Sequence, residues 1–168
     1  TADFNGAYDA PAAIRVIEQL TRHGLTMVEQ PEPGEDNGGM ALVTRSVDPL
    51  VLADQSVNNP EDVAKIAAAK AAGAVSIKLL KLGGIRKSRA VVKACESLGL
   101  ACHVGGTGTT RIVEAAQAHF ISAMPAIRVP SEIAEFEELD GDLVPGFDVV
   151  DGAIRVPDGP GLGVGLAI

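Results

Sequence analysis

The chain has 168 residues, of which 46% are hydrophobic and 21% are charged, so it is long enough to bury one substantial core. Its net charge of −8, its lack of tryptophan and its 3% aromatic content argue against nucleic-acid binding, which needs basic surfaces and stacking rings. No apolar run reaches the length of about 18 residues that spans a bilayer, and no secretory signal opens the chain, so we expect a cytoplasmic protein without membrane contact.

Strands and helices alternate along residues 1–130. Hydrophobic periodicity and capping residues predict helices over Ala10–His23, Met40–Val47, Asn59–Ala72, Ile85–Ser97 and Ile112–Ala123. Short apolar runs predict strands that end near Asp3, Glu29, Asp54, Lys78 and Val104, with a weaker strand over Ala126–Val129. This alternation predicts an α/β fold, namely a partial (β/α) barrel of about six units in residues 1–130.

Beyond Pro130 the alternation stops, and residues 131–168 are interpreted as a C-terminal tail. The segment Ser131–Asp140 is acidic and predicted to be partly helical, and Asp151-Gly152 is a hairpin signal between two short strands. A complete eight-unit barrel needs about 250 residues. We therefore expect that the first strands belong to a longer polypeptide, and that this chain alone does not form a closed, stable barrel.

Four polar residues recur at the predicted strand ends. Asp3, Glu29, Asp54 and Lys78 are separated by 26, 25 and 24 residues, which is the length of one strand, one helix and two loops. Carboxyl ends of barrel strands face one mouth, so three acids there predict a site for a Mg²⁺-like ion. Solvated strand ends are the alternative for each acid taken singly.

Lys78 lies within an apolar run, where a lysine must be paired or must work at a lowered pKa. Beside a metal ion it is a candidate proton-transferring base. The alternative, an ammonium that reaches out to water, fits Lys81 better, because Lys81 lies in a predicted turn.

Three further features are open to more than one interpretation. His103 precedes the glycine-rich loop 105–110 and is a candidate substrate contact, although a histidine hydrogen-bonded in place is an equal alternative. The loop itself is a candidate phosphate cradle. Cys95 and Cys102 lack metal-ligand spacing and are interpreted as reduced structural thiols.

In their order and spacing these motifs resemble the enolase superfamily, and most closely its muconate-lactonizing enzymes and dipeptide epimerases. The motifs are Asp3-Phe4-Asn5, Val28-Glu29-Gln30-Pro31, Ala53-Asp54-Gln55-Ser56, and Ile77-Lys78-Leu79 followed by Gly83-Gly84. The tail from Asp151 to Gly163 is similar to the family's C-terminal segment, which returns to the capping-domain side. The resemblance covers nearly the whole chain.

The resemblance implies a chemistry and a site. Asp3, Glu29 and Asp54 would bind Mg²⁺ or Mn²⁺, and Lys78 would move a proton at the carbon next to a substrate carboxylate. The substrate contacts implied for this site are Asn5, His103, Gly106 and Thr107. Cycloisomerisation, racemisation or epimerisation, and dehydration of a small carboxylate all remain open. A homo-oligomer is also implied.

The chain departs from the family pattern at four points. The family's second-strand lysines and its N-terminal capping domain have no counterpart in these 168 residues. Gly105-Gly106-Thr107 is not followed by the carboxylate that muconate cycloisomerases tend to carry, and Gln55 stands where many relatives have Glu. The alternatives are a phosphate-binding barrel enzyme, and a catalytically inert fragment that needs the preceding segment.

Overall fold

The computed structural model describes residues 1–167, in which five parallel strands form one sheet. The strands are β1 (Ala2–Asp3), β2 (Met27–Glu29), β3 (Leu50–Ala53), β4 (Ala74–Ile77) and β5 (Ala101–Val104). Their order in the sheet is the order in the chain, with every neighbouring pair parallel. A helix follows each strand, as in a (β/α) barrel. The predicted α/β class and partial barrel are confirmed.

Six helices make the connections. They are α1 (Ala10–Thr21), α2 (Asn37–Ser46), α3 (Pro60–Ala69), α4 (Leu79–Leu82), α5 (Ile85–Leu98) and α6 (Arg111–Ala123). The side chains of Asp9, Asp36 and Asn59 accept hydrogen bonds from backbone N–H groups in the first turns of α1, α2 and α3. Such caps satisfy N–H groups that the helix itself leaves unpaired. No helix in residues 1–167 is both long enough and apolar enough to cross a bilayer.

Strands β2 to β5 are largely buried on both faces of the sheet, as is usual for parallel strands, whereas Asp3 of β1 is exposed. On one face, residues such as Val28, Val51 and Val75 join the helices in the main core. On the other face, Met27, Leu52 and Ala74 form a separate small cluster with Leu50, Ala101 and Val129. This second face is the barrel interior, and its apolar layer forms the floor below the polar strand ends.

The weak strand predicted at Ala126–Val129 is present only as a single parallel bridge between Cys102 and Ile127. The tail then packs on α6, where Phe136 and Phe147 contact Ala115 and Ala118. The acidic stretch contains a 3-10 turn at Glu135–Glu138, and the predicted hairpin forms from β6 (Val149–Val150) and β7 (Ala153–Ile154). Asp151 and Gly152 both have positive φ, as a two-residue hairpin turn requires. The last residue of the predicted tail, Ile168, lies outside the described residues.

Two helix boundaries were predicted wrongly by three residues, and one of them is the end of α3, which lies at Ala69 and not at Ala72. Helix α2 begins at Asn37, and not at Met40, so Gly38 and Gly39 are helical. The Asp36 side chain accepts a hydrogen bond from the Gly39 N–H, and this cap extends the helix through residues that favour a loop in isolation.

Candidate functional site

The polar strand ends share one face of the sheet but are not level with one another. Asp3 lies opposite Glu29 in the β1–β2 ladder. Glu29 lies opposite Leu52, which places Asp54 two residues further along its strand. Asp54 is therefore not level with Asp3 and Glu29 in the ladders. Because side chains alternate between faces, an offset of two residues still leaves Asp54 on the interior face.

Lys78 lies between two of the predicted metal ligands. Its Nζ donates a hydrogen bond to Asp54 Oδ2 at 2.8 Å and lies 3.5 Å from Glu29 Oε1. All three side chains are largely buried, with 15%, 3% and 7% of the Lys78, Asp54 and Glu29 side chains exposed. The lysine is thus paired, which is one of the two conditions that its apolar surroundings demanded.

The charges in this cluster shift each other's pKa. Burial alone would lower the pKa of Lys78, but its hydrogen bond to Asp54 and the charges of Asp54, Glu29 and Asp3 raise it above the ordinary value. Burial raises the pKa of Glu29, a rise that Lys78 partly offsets. For Asp54, hydrogen bonds from Lys78 and Lys81 outweigh burial and hold its pKa below the usual range. The ammonium–carboxylate form is therefore the stable form of this cluster.

Lys81 belongs to the site, and its predicted role as a water-facing lysine is wrong. Its Nζ donates to Asp54 Oδ1 at 2.6 Å and to the Asp54 backbone carbonyl at 2.7 Å. The segment Leu79–Leu82 is a short helix, not the predicted turn, and this helix carries Lys81 back over the end of β3. Two lysines therefore hold the two oxygens of Asp54.

Gln30 fixes the loop that carries Asp54. Its side-chain Oε1 accepts hydrogen bonds from the backbone N–H groups of Asp54, at 2.8 Å, and Ser56, at 3.2 Å. Its Nε2 donates to the Glu32 carbonyl and to Ser56 Oγ, both at 2.8 Å. Gln30 is fully buried and has a φ of 37°, an uncommon value for a residue other than glycine. This strained residue ties the end of β2 to the end of β3.

The absence of a side chain at Gly105 leaves space for the side chain of Lys78. A Cβ at this position would lie 2.4 Å from Ser76 Oγ and 2.8 Å from Lys78 Cε, well inside contact distance. The first glycine of the glycine-rich loop is therefore a packing requirement of the lysine.

His103 is hydrogen-bonded in place, as one of its two sequence interpretations holds. It is fully buried, and its Nδ1 pairs with the backbone carbonyl of Pro130. Its Nε2 lies 3.9 Å from Glu132 Oε2. Glu132 was not among the sequence candidates. Its position three residues beyond the predicted strand Ala126–Val129 was the one available signal.

Two amides of the glycine-rich loop already donate hydrogen bonds to carboxylates. The Gly106 N–H donates to Glu132 Oε2 at 3.4 Å, and the Gly108 N–H donates to a carboxylate oxygen of Glu135. Carboxylates occupy the positions that a phosphate cradle would need, which disfavours the phosphate-binding alternative.

The remaining candidates lie at the rim of the mouth. Asn5 is exposed, donates its backbone N–H to Asp3 Oδ1, and accepts a hydrogen bond from Gln55 Nε2 at 3.0 Å. Gln55 thus links the ends of β1 and β3. Thr107 is exposed on its loop. Cys95 and Cys102 are buried and free, consistent with structural thiols.

Comparison with known proteins gives the same family from sequence and from structure. Residues 1–167 match the family model described as "Enolase C-terminal domain-like". The chain is 36% identical over 168 residues to muconate cycloisomerase 1 of Rhodococcus opacus. The aligned region covers 98% of this chain and 44% of that protein. The chain thus spans less than half the length of this relative.

Solved structures similar to this fold belong to the same group of enzymes. The fold is similar to 2-chloromuconate cycloisomerase from Rhodococcus opacus 1CP, with a TM-score of 0.93 at 30% identity over 98% of this chain and 46% of that chain. It is also similar to a dipeptide epimerase from Enterococcus faecalis V583 complexed with Mg and the dipeptide L-Leu-L-Tyr, with a TM-score of 0.87 at 28% identity over 96% of this chain and 46% of that chain. The chain belongs to the enolase C-terminal domain-like family, within the enolase superfamily.

Proposed function

We propose that the full-length protein moves a proton at the carbon next to a substrate carboxylate, with Lys78 as the acid/base and Mg²⁺ held by Asp3, Glu29 and Asp54. The observation that supports this most directly is the position of Lys78 Nζ between Asp54 Oδ2, at 2.8 Å, and Glu29 Oε1, at 3.5 Å. A lysine held beside two acids at a barrel mouth is well placed for proton transfer next to a bound cation.

The donor set fits Mg²⁺, and Mn²⁺ equally well. All three proposed ligands are carboxylates, and hard divalent cations take oxygen ligands. Glu29 Oε1 is buried and has no hydrogen-bond partner among residues 1–167, which leaves it able to accept a cation. When bound, the ion would stabilise the negative charge that develops on the substrate carboxylate as the neighbouring carbon loses its proton.

This chain's own residues would orient and confine the reaction. Gln30 holds the backbone of Asp54, and Lys81 holds one of its oxygens. Gly105 gives Lys78 a fixed path beside Ser76. Below these groups, Met27, Leu52 and Ala74 close the barrel interior with apolar contacts and exclude water from the lysine stem.

The substrate class we propose is a small carboxylate. The relatives named above include a muconate cycloisomerase and an epimerase bound to a dipeptide, and both names describe substrates that carry carboxylates. Loop 105–110 has no acid, which gives no support to the muconate reaction in particular. We propose a homo-oligomer in the cytoplasm, with the tail directed toward a capping segment, as the resemblance implies.

Proton exchange tests the proposal. The full-length protein, supplied with Mg²⁺ and either muconate or L-Leu-L-Tyr in deuterated water, should incorporate deuterium next to the carboxylate of its substrate. Lys78→Ala should lower kcat by about a hundredfold or more, the scale of general acid–base catalysis. Lys87→Ala is the matched control, because Lys87 is exposed on α5 and should leave kcat unchanged. Exchange at the wild-type rate in Lys78→Ala would show that another group moves the proton.

Calorimetry tests the metal site separately. Glu29→Gln should weaken Mg²⁺ binding at least tenfold, because an amide oxygen carries no charge to offset that of the ion. Glu35→Gln, an exposed change in the following loop, should not alter it. Equal Mg²⁺ affinity in wild type and Glu29→Gln would remove Glu29 from the ligand set.

A further inference from the structure

Three side chains converge beside the proposed Mg²⁺ ligands in a combination that this ion does not require. They are Glu29 at the end of β2, His103 on β5 and Glu132 in the segment after Pro130. One potential ligand atom from each lies within 4.8 Å of the other two. Glu29 and His103 are buried, whereas the Glu132 side chain is 51% exposed and its Oε2 accepts a long hydrogen bond from the Gly106 N–H. We call these residues the histidine trio.

The hydrogen bond at one ring nitrogen of His103 determines what the other can do. A backbone carbonyl only accepts hydrogen bonds, so the contact with Pro130 places a proton on Nδ1. In the neutral ring, Nε2 then carries a lone pair. It is buried, and no other residue in the described part of the chain hydrogen-bonds to it. Metal-binding histidines are usually held by a hydrogen bond at one ring nitrogen and coordinate the ion through the lone pair of the other, which is the arrangement found here.

The partners of Nε2 are also electron-rich. Glu132 Oε2 faces it at 3.9 Å, and Glu29 Oε1 is buried without a hydrogen-bond partner in residues 1–167. Lone pairs that converge in a buried place repel one another unless a cation lies between them. Lys78 is the nearest ammonium: its Nζ lies 3.5 Å from Glu29 Oε1, but its hydrogen bond goes to Asp54 and not to Glu29.

We propose that the histidine trio is a second divalent-metal site, selective for Zn²⁺ and similar transition ions. Imidazole nitrogen with two carboxylates suits such ions, whereas Mg²⁺ prefers oxygen alone. Three protein ligands leave a fourth position open to water or substrate. Metal–ligand bonds of about 2.0 to 2.2 Å need ligand atoms about 3 to 3.5 Å apart. The three atoms, which lie within 4.8 Å of one another, would have to draw closer around the ion.

The second site shares Glu29 with the proposed Mg²⁺ site and needs neither Asp3 nor Asp54. Because one carboxylate serves both, Zn²⁺ and Mg²⁺ should compete, and Zn²⁺ should inhibit Mg²⁺-dependent turnover. The two sites nevertheless differ in their remaining ligands, so single substitutions separate them. The inference stands without the proposed reaction, since it concerns binding alone.

The test is a double comparison of metal affinities on the chelator-stripped, full-length protein. Zn²⁺ and Mg²⁺ are titrated separately by calorimetry into wild type, Glu132→Gln and Asp3→Asn, with Glu137→Gln as the exposed control from the same segment. Glu132→Gln should weaken Zn²⁺ binding at least tenfold and leave Mg²⁺ binding within about threefold. Asp3→Asn should weaken Mg²⁺ binding at least tenfold and leave Zn²⁺ binding within about threefold. Glu137→Gln should change neither affinity.

Spectroscopy identifies the histidine. Co²⁺ bound to wild type should show visible absorption of a low-coordinate site, and His103→Asn should lose it while circular dichroism confirms the fold. Three results would overturn the proposal: no Zn²⁺ binding by wild type, Zn²⁺ binding that follows Asp3→Asn rather than Glu132→Gln, or an unchanged Co²⁺ spectrum in folded His103→Asn. Loss of Mg²⁺ binding alone would count against the proposed function and not against the histidine trio.

Discussion

Replacing Glu32 with glutamine should stabilise the protein at alkaline pH. Glu32 follows β2 and is fully buried, and neither of its carboxyl oxygens has a hydrogen-bond partner in residues 1–167. Burial, together with the charges of Asp36 and Asp9, raises the pKa of Glu32 from 4.5 to about 7. Both aspartates cap helices by accepting hydrogen bonds from backbone N–H groups, and their negative charges make a further negative charge on Glu32 unfavourable.

The sign of the effect follows from where the proton is held. Between about pH 4.5 and 7 the folded state keeps the Glu32 proton while the unfolded state releases it, so stability falls as pH rises. Above pH 7 the folded state ionises too, and the penalty levels off. A shift from 4.5 to about 7 corresponds to about 3 kcal/mol of lost stability at pH 8. Glutamine carries no such penalty, so the variant should gain up to about 3 kcal/mol there and nearly nothing at pH 4.5.

Urea denaturation of the full-length protein between pH 4.5 and 8.5 measures this difference, and carbon NMR of the Glu32 carboxyl measures its titration directly. Glu35→Gln removes an exposed acid from the same loop and should show no comparable trend. Glu114, whose pKa burial also raises to about 7, is present in both proteins and cancels in the comparison. A stability difference that does not change with pH, or a Glu32 titration near 4.5, would refute this reasoning.

Further predictions concern the groups that position Asp54 and Lys78. Gly105→Ala should lower kcat by about a hundredfold in steady-state assays, because the added Cβ displaces the Lys78 side chain. An unchanged kcat would mean that Lys78 can keep its position beside the added methyl group. Gln30→Leu should destabilise the fold by about 2 to 4 kcal/mol in urea titrations, because it leaves the Asp54 N–H without its acceptor. Lys81→Met should cost about 2 kcal/mol by the same measurement, whereas the exposed Lys87→Met should cost almost nothing.

Local patterns were enough to predict the elements and the edge of the sheet where the site lies. Capping residues located the starts of α1 and α3 because Asp9 and Asn59 act within their own first turn. Short apolar runs located the strands because β2 to β5 are buried on both faces of the sheet. The weak strand at Ala126–Val129 reduced to one bridge, although the chain stays beside β5, where the N–H groups of Val129 and Glu132 donate to the carbonyls of Cys102 and Val104.

Contacts between distant segments were beyond the reach of these patterns. Lys81 reaches Asp54 across 27 residues, and Glu132 approaches His103 only because the segment after Pro130 returns along β5. Gln30 lies in one of the motifs, but the hydrogen bonds of its side chain depend on the positions of Glu32, Asp54 and Ser56. Hydrophobic periodicity describes which face a residue occupies and gives no information on which partner it finds there.

The nearly even spacing of Asp3, Glu29, Asp54 and Lys78 in the sequence predicts a common site, although these residues are not level in the strand ladders. The tilt of strands in a barrel accounts for the difference in level. Asp54 lies two residues beyond the position level with Glu29, and Lys78 lies two residues beyond Ser76, the position that continues this ladder from Asp54. In an eight-stranded barrel with a shear of eight, points of equal height shift by about one residue per strand. The offsets from Asp3 to Lys78 are none, two and two residues, all in the same direction, which is close to the drift that this shear produces and keeps the interior side chains near one layer. His103 is level with Ser76, one layer below Gly105, which is why it is buried beneath Lys78 while Glu132 reaches it from the rim.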